Sequence, residues 1–381
     1  MKQPTRVLII DDSPFICRLL ANYLESAADV TVVGTANDGV TGLAQIRQLR
    51  PDVVTLDVEM PQMDGLATLE HIMHDMPVPV LMISGISRRS ARLSLRAMEL
   101  GAVDFTLKYT PQSDTNPETL RKEILAKVRA AAQVKVVRSV RPRSLGDSAS
   151  GGAAMNGDPL PSRAQQPPLE SYSQASRLPG GVLVIGASTG GPVAVRELLS
   201  QLPIHFPAAI ILVQHMPATF TNVLATQLNN SVALNVREAQ MGDRLRPGQV
   251  LIAPGDYHLL VRPDSRVYLN QADKIMGHRP SINVTMQSVA QAFGHRTRGV
   301  LLTGMGEDGV LGLVAIRSKG GQSYAQNAET CVVDGMPQRA RELGLADFVG
   351  TPAQIAQRLR EEMAVDNEWQ MAAEMLSVPL I

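Results

Sequence analysis

Along the first 138 residues the hydrophobic pattern alternates between two periods. Short apolar runs (VLII, TVVG, VVTL, VLMI and VDFTL) are separated by segments with helical spacing over 14–27, 38–50, 64–75, 88–100 and 117–138. Runs of this length bounded by turn residues predict buried strands, and five strand–helix repeats predict a parallel sheet with helices on both faces. From about residue 139 to 179 the periodicity is lost and Ser, Pro, Gly, Ala and Gln dominate, which predicts a flexible linker. Its random-coil span would be roughly 35 Å, enough for the flanking domains to dock or separate. Alternation resumes at Gly181 with VLVIGAS, a helix from about 192, AAIILVQH and a helix near 218–230. The strand-rich VLIAPGDYHLLV and VYLN follow, then a helix near 281–293, the strand GVLLTG and a helix near 309–318. A short strand near 330–333 and two terminal helices complete the pattern, and residues 366–381 read as a weakly packed tail. The expected organisation is an α/β domain over 1–138, a linker over 139–179 and a second α/β parallel-sheet domain over 180–365.

Composition narrows the function classes. The 381 residues are 44% hydrophobic and 19% charged, a balance that supports sizeable cores, while 3% aromatics leave the packing to aliphatic side chains. A formal net charge of +0 argues against nucleic acid or an anionic membrane as the main partner. No apolar run approaches the roughly 20 residues that span a bilayer. The start MKQPTRVLII lacks the layout of a secretory signal, so the expected location is cytoplasmic. Cys17 and Cys331 lie far apart in apolar stretches and read as buried reduced thiols.

Candidate chemistry in the first domain collects at strand ends. Asp11 and Asp12 end the first apolar run, Asp57 the third and Ser84 the fourth, and Lys108 follows the fifth. In open α/β sheets, sites form outside the carboxyl ends of the strands. Clustered carboxylates suit a hard divalent cation such as Mg²⁺, beside which Asp57 could attack a phosphoryl donor while Lys108 and Ser84 hold the transferred oxygens. Taken singly, each residue has an ordinary explanation: Asp12 or Ser13 before Pro14 makes a good helix start, and Asp57 a turn residue. Their convergence on one edge favours a site. The stretches DDSPFICRLL, LDVEMPQMDGL and GAVDFTLK resemble a response-regulator receiver domain, which has a doubly wound, flavodoxin-like fold. The resemblance implies that Asp57 accepts the phosphoryl group, that Asp11, Asp12 and Asp57 form the Mg²⁺ site, that Ser84 and Phe105 are switch residues and that Lys108 is the conformational sensor. It also implies a histidine kinase as phosphodonor. Receivers usually carry proline after that lysine, and here Tyr109 follows. Arg88, Arg92 and Arg96 share one helical face, read as solvated, with a docking surface as the sharper option.

The second domain opens on VLVIGASTGG. A phosphate-binding loop would end in Lys followed by Ser or Thr, which is absent, and a dinucleotide fingerprint would place glycine where Ser188 stands. Gly186-Ala187-Ser188-Thr189-Gly190 instead matches G-x-S-x-G, whose small neighbours allow a sharp strand-to-helix turn that exposes the serine. His215 ends the next strand and Asp308 lies in the loop after GVLLTG, so base and orienting acid are expected at the same edge. Glu307 beside Asp308, and His258 as a rival base, remain open on spacing alone. The order Ser, His, Asp differs from the α/β-hydrolases.

GASTGGP, LVQHMP, APGDYH and LLTGMGEDG resemble the catalytic domain of the chemotaxis protein-glutamate methylesterases, over essentially all of 180–360. The resemblance implies that Ser188 is the nucleophile, His215 the base and Asp308 the orienting acid, with the Met305 backbone N–H and Thr189 beside the oxyanion. It implies hydrolysis of glutamate γ-methyl esters, and deamidation of glutamines, on methyl-accepting chemoreceptors. The expected enzyme is a cytoplasmic monomer at receptor arrays, with no cofactor in the catalytic domain, no nucleic-acid partner and no membrane insertion. Phosphorylation at Asp57 would release a receiver docked over the catalytic edge. The alternative is a phosphorylation-controlled adaptor without esterase activity. A transcriptional regulator would need a basic recognition helix, which the second domain lacks.

Overall fold

The structure, a computed structural model, describes residues 3–108, 116–134 and 179–363. Tyr109, the predicted linker apart from its last residue, and the predicted tail lie outside the described residues.

The first unit runs β1 (Thr5–Ile10), α1 (Pro14–Glu25), β2 (Val30–Ala36), α2 (Gly39–Leu49), β3 (Val53–Asp57), α3 (Gly65–Asp75), β4 (Val80–Ser84), α4 (Arg88–Leu100), β5 (Asp104–Leu107) and α5 (Pro117–Ala131). The five strands pair in parallel in the order β2-β1-β3-β4-β5. Because side chains alternate along a strand, Val7 and Ile9 enter the core with Leu20, Leu24, Ile124 and Val128, while Leu8 and Ile10 pack on the other face with Leu69 and Ile72. Pro14 stands in the first helical turn of α1, and the Ser13 side chain accepts the Ile16 N–H at 3.4 Å. The helix-start reading of DSP is therefore correct for Ser13, which leaves both preceding aspartates free for other work. Helix α5 ends at Ala131, short of the predicted 138.

The second unit runs β6 (Val182–Ala187), α6 (Gly191–Ser200), β7 (Ala209–Gln214), α7 (Ala218–Ser231), β8 (Asn235–Glu238), β9 (Gln249–Ile252), β10 (His258–Val261), β11 (Val267–Asn270), α8 (Ile282–Phe293), β12 (Thr297–Leu301), α9 (Val310–Ser318), β13 (Gln322–Gln326), α10 (Met336–Glu342) and β14 (Phe348–Gly350). A helix over 352–363 follows. Seven strands form a parallel sheet in the order β14-β13-β12-β6-β7-β9-β8, and β10 and β11 form a separate antiparallel pair. The apolar stretch VLIAPGDYHLLV thus divides between two sheets.

The strand predicted near 330–333 is displaced. The sheet takes Gln322–Gln326, whose QSYAQ sequence is too polar to read as a core strand, yet Ser323, Tyr324, Ala325 and Gln326 are buried. Their polar groups are satisfied locally: Ser323 Oγ donates to Asp347 at 2.8 Å, and Gln326 Oε1 accepts the Thr303 N–H at 2.8 Å. The β-branched Val332 and Val333 serve a loop instead, with the Val333 carbonyl accepting the Gly304 N–H at 2.9 Å.

The two units are packed together. Helix α4 lies on α7 and α6, and one continuous apolar core includes Leu95, Met98 and Phe105 with Leu198, Phe220 and Leu224. The rings of Phe105 and Phe220 stack with centroids 4.3 Å apart, and Glu99 pairs with Arg196 at the rim.

Candidate functional site

The strand order reverses between β1 and β3 in the first unit and between β6 and β12 in the second, where β8 also lies outside β9. Such reversals open a crevice beyond the strand ends. Both groups of sequence-predicted residues lie there.

At the first crevice, Asp11 and Asp57 are buried and Asp12 is exposed, and one carboxylate oxygen from each lies within 4.8 Å of the others. Lys108 Nζ sits 2.9 Å from Asp11 Oδ2 and 2.7 Å from Asp57 Oδ2. Burial pushes the Asp57 carboxyl up to about 6, with the Asp11 charge adding to the rise and the Lys108 bond opposing it. Burial opposes the Lys108 charge, yet its bond to Asp57 and the two carboxylates hold its pKa above the ordinary value. One ammonium against three carboxylates leaves negative charge on an all-oxygen donor set, so the residues present fit a hard divalent cation. The Ser84 hydroxyl accepts from Ser94 Oγ at 2.8 Å and so is engaged by α4. Phe105 is turned into the second unit, against Phe220. Arg88, Arg92 and Arg96 are exposed, with Arg96 paired to Glu99 at 2.6 Å, which agrees with a solvated face. Both cysteines are free and half-buried rather than buried, and Cys17 Sγ donates to the Asp11 carbonyl at 3.3 Å.

At the second crevice, Ser188 follows β6 and is held by its backbone. Its N–H donates to the Thr303 carbonyl at 3.1 Å, and its carbonyl accepts from Gln214 Nε2 at 2.8 Å. The turn into α6 requires Gly190, which adopts φ +77° against Val332. Gly304 is packed so tightly on Ser188 that a Cβ there would lie 2.7 Å from Ser188 Cβ. Met305 follows Gly304 in the chain.

His215 Nε2 lies 2.9 Å from Asp308 Oδ2, while His215 Nδ1 is buried without a hydrogen-bond partner. With an ionised carboxylate as acceptor, Nε2 carries the proton and Nδ1 presents the basic lone pair. Asp308 is fixed by further donors: Ser281 Oγ at 2.9 Å, Ile282 N at 2.7 Å, Asn283 N at 3.0 Å and Gly309 N at 3.0 Å. Burial opposes its charge, but the His215 hydrogen bond and charge and the Asn283 and Ile282 N–H groups hold its carboxyl below the usual range. Asp308 therefore anchors the start of α8, a role the sequence did not indicate. Glu307 points outward to Arg339, 3.7 Å away, which removes it as the orienting acid. His258 is removed as the base: Nε2 bonds the Asp273 carbonyl at 3.0 Å and Nδ1 accepts the Ser281 N–H at 3.2 Å.

Three participants were not identified from sequence. Gln214 holds the turn at Ser188. Asp104 of β5 accepts from Thr189 Oγ1 at 2.6 Å, so a residue of the first unit grips the neighbour of Ser188. Behind it, Lys127 lies 3.4 Å from Asp104 and 3.1 Å from Glu123. The ring of His278 stacks on His215, with centroids 3.7 Å apart and planes 7° from parallel. The only signal for Asp104 was a charged residue inside an apolar run; His278 lies two residues before Pro280 with no periodic cue.

Residues 183–359 match the CheB methylesterase family and residues 7–119 the response regulator receiver domain. The chain is 44% identical over 350 residues to the protein-glutamate methylesterase/protein-glutamine glutaminase of Symbiobacterium thermophilum, covering 91% of this chain and 93% of that one. It is 44% identical to protein-glutamate methylesterase/protein-glutamine glutaminase 2 of Nitratidesulfovibrio vulgaris, covering 90% of this chain and 95% of that one. The protein-glutamate methylesterase/protein-glutamine glutaminase of Caldanaerobacter subterraneus is 40% identical over 380 residues, 98% of this chain and 100% of that one. With a receiver sheet ahead of a sheet that carries serine, histidine and aspartate at its reversal point, this chain belongs to the CheB methylesterase family.

Proposed function

We propose that the chain removes methyl groups from glutamate γ-methyl esters on chemoreceptors by acyl transfer through Ser188, and deamidates glutamines by the same route. The observation that carries the reading is the His215–Asp308 bond, which leaves Nδ1 as an unpartnered buried base at the edge occupied by Ser188. Ser188 Oγ attacks the ester carbonyl while Nδ1 takes its proton. The oxyanion that forms is met by the Met305 backbone N–H, with Thr189 beside it. His215, now an imidazolium facing Asp308, returns the proton to the departing methoxide and methanol leaves. Water, deprotonated by His215, then cleaves the acyl-enzyme to glutamate. With a glutamine side chain, the departing group is ammonia.

Control belongs to the receiver, which we assign to residues 1–138, joined through a linker at 139–179 to a catalytic domain at 180–365 with a tail at 366–381. The chain acts as a cytoplasmic monomer. Asp57 takes the phosphoryl group from a histidine kinase. Asp11, Asp12 and Asp57 would hold Mg²⁺, which when bound supplies positive charge that screens carboxylate and phosphoryl oxygens. Lys108, already on Asp57, is placed to follow the new charge, and Ser84 would turn from α4 toward it. The receiver blocks the catalytic edge while Asp104 holds Thr189 and Phe105 covers Phe220, and phosphorylation weakens that docking. A coupling of about 2–3 kcal/mol changes the exposed population roughly 30- to 150-fold.

The test is methanol release from methylated receptor, with and without a small acyl phosphate and Mg²⁺. Release that rises with the phosphodonor and vanishes in Ser188→Ala is expected. Receptor binding with neither methanol release nor labelling of Ser188 by an acylating probe would establish the adaptor instead.

A further inference from the structure

The hydrogen bond to Asp308 fixes one atom of His215, and the ring can still rock about the line from Cβ to Nε2. Rocking would move Nδ1, the proton acceptor of the proposed reaction, relative to the edge where Ser188 stands. Among the described contacts, what fixes the plane is His278, whose ring lies parallel to His215 at 3.7 Å. His278 is itself held in a braced turn. Its N–H donates to the Ile275 carbonyl at 2.9 Å, and the Ile275 N–H donates back to the His278 carbonyl at 3.1 Å. Arg279 ties the same turn down, donating to Asp256 Oδ1 at 2.6 Å and to the carbonyls of Gln271 and Ala272 at 3.0 Å.

We propose that His278 is a positioning residue for the reaction, a flat wall that holds the His215 ring so that Nδ1 faces Ser188. The inference rests on the acyl-transfer reading above and goes beyond it, since neither proton transfer nor oxyanion binding requires a second imidazole. The wall must also stay uncharged. A cation stacked on His215 would oppose the imidazolium that forms when Ser188 gives up its proton. Four charged or titratable groups act on His278: His215 and Asp308 in the catalytic domain, and Glu123 and Lys127 on α5 of the receiver. Burial and His215 outweigh the two carboxylates and bring the His278 ring down to about 4, so it is neutral throughout the working range. A ring nitrogen is then unnecessary and any flat aromatic ring should serve.

That consequence separates a wall from a proton carrier or a space-filler. In the full chain, His278→Phe keeps the flat face without a titrating group, whereas His278→Leu keeps bulk without a plane. The expected result is that His278→Phe holds kcat within about 3-fold of the parent. His278→Leu should lower kcat roughly 10- to 100-fold with KM changed less than about 2-fold, since misplacing a reacting group costs factors of this size. The same ranking is expected for the rate at which a fluorophosphonate acylates Ser188, a readout independent of the natural substrate. Absence of methanol release by the parent with normal labelling would fault the substrate reading and leave the ranking measurable. Equal labelling rates in parent, Phe and Leu variants would overturn the proposal. So would a Phe variant as slow as the Leu variant, which would assign the role to the ring nitrogens.

Discussion

At the β1/β3 edge, three carboxylates lie within 4.8 Å, two of them, Asp11 and Asp57, share the Lys108 ammonium, and burial raises the Asp57 carboxyl to about 6. At the β6/β12 edge, a single buried carboxylate, Asp308, receives five donors and is held below the ordinary carboxylate range. Both crevices arise from the same reversal of strand order, so backbone topology does not distinguish them. The balance of donors and acceptors does. An edge short of donors suits a cation or a phosphoryl group, whose arrival would change its charge. An edge with donors matched to its one carboxylate keeps that charge fixed, which is what a base needs to stay in one tautomer and one orientation.

The sharpest way to break this contrast is at the fixed edge. Ser188→Ala should lower methanol release by on the order of 10⁴-fold or more, while phosphorylation of Asp57, followed by phosphate-affinity gel, proceeds normally. Asp308→Asn leaves the geometry but removes the charge that sets the His215 tautomer, so kcat should fall by roughly 10⁴-fold with KM nearly unchanged. A milder loss would mean that the donors around Asp308 serve only to anchor α8. At the changeable edge, Asp57→Asn should leave basal methanol release within about 2-fold and abolish its roughly 30- to 150-fold stimulation by a phosphodonor. Stimulation that survives this variant would place the phosphoryl group elsewhere.

Smaller effects test the connection between the edges. Glu99→Lys sets like charges against Arg196 at the rim of the docked surface and should raise unphosphorylated activity roughly 5-fold. No change would show that Asp104–Thr189 and Phe105–Phe220 hold the receiver without help from the rim. The last test concerns pH and stability. Because the Asp308 pKa is depressed in the folded chain, its stabilising contribution is present above the unfolded carboxylate's pKa. The contribution is lost as pH falls through the depressed value. Unfolding free energies of the parent and Asp308→Asn from urea titrations should therefore differ by about 2 kcal/mol at neutral pH and converge in acid. A gap that stays constant with pH would mean that Asp308 is not stabilised by its charge.

Sequence reading placed all three candidate catalytic side chains and the acidic cluster at the correct strand ends, since hydrophobic periodicity locates strands and loops after parallel strands carry the sites. It missed β13, because QSYAQ buries polar groups whose partners, Asp347 and Thr303, come from elsewhere in the chain. Asp308 also anchors a helix beginning more than twenty residues earlier in sequence, a pairing that no local pattern carries.

The sequence alone determined the two α/β units, the composition change between them and the residue types at each edge, because these depend on local periodicity and on the chemistry of single side chains. Where spacing alone left Glu307 and His258 open, the tertiary structure paired His215 with Asp308, turned Glu307 to Arg339 and committed both ring nitrogens of His258 to the backbone. It alone brought Asp104 to Thr189 and His278 to His215, since contacts across sheets and between units depend on how separate elements pack.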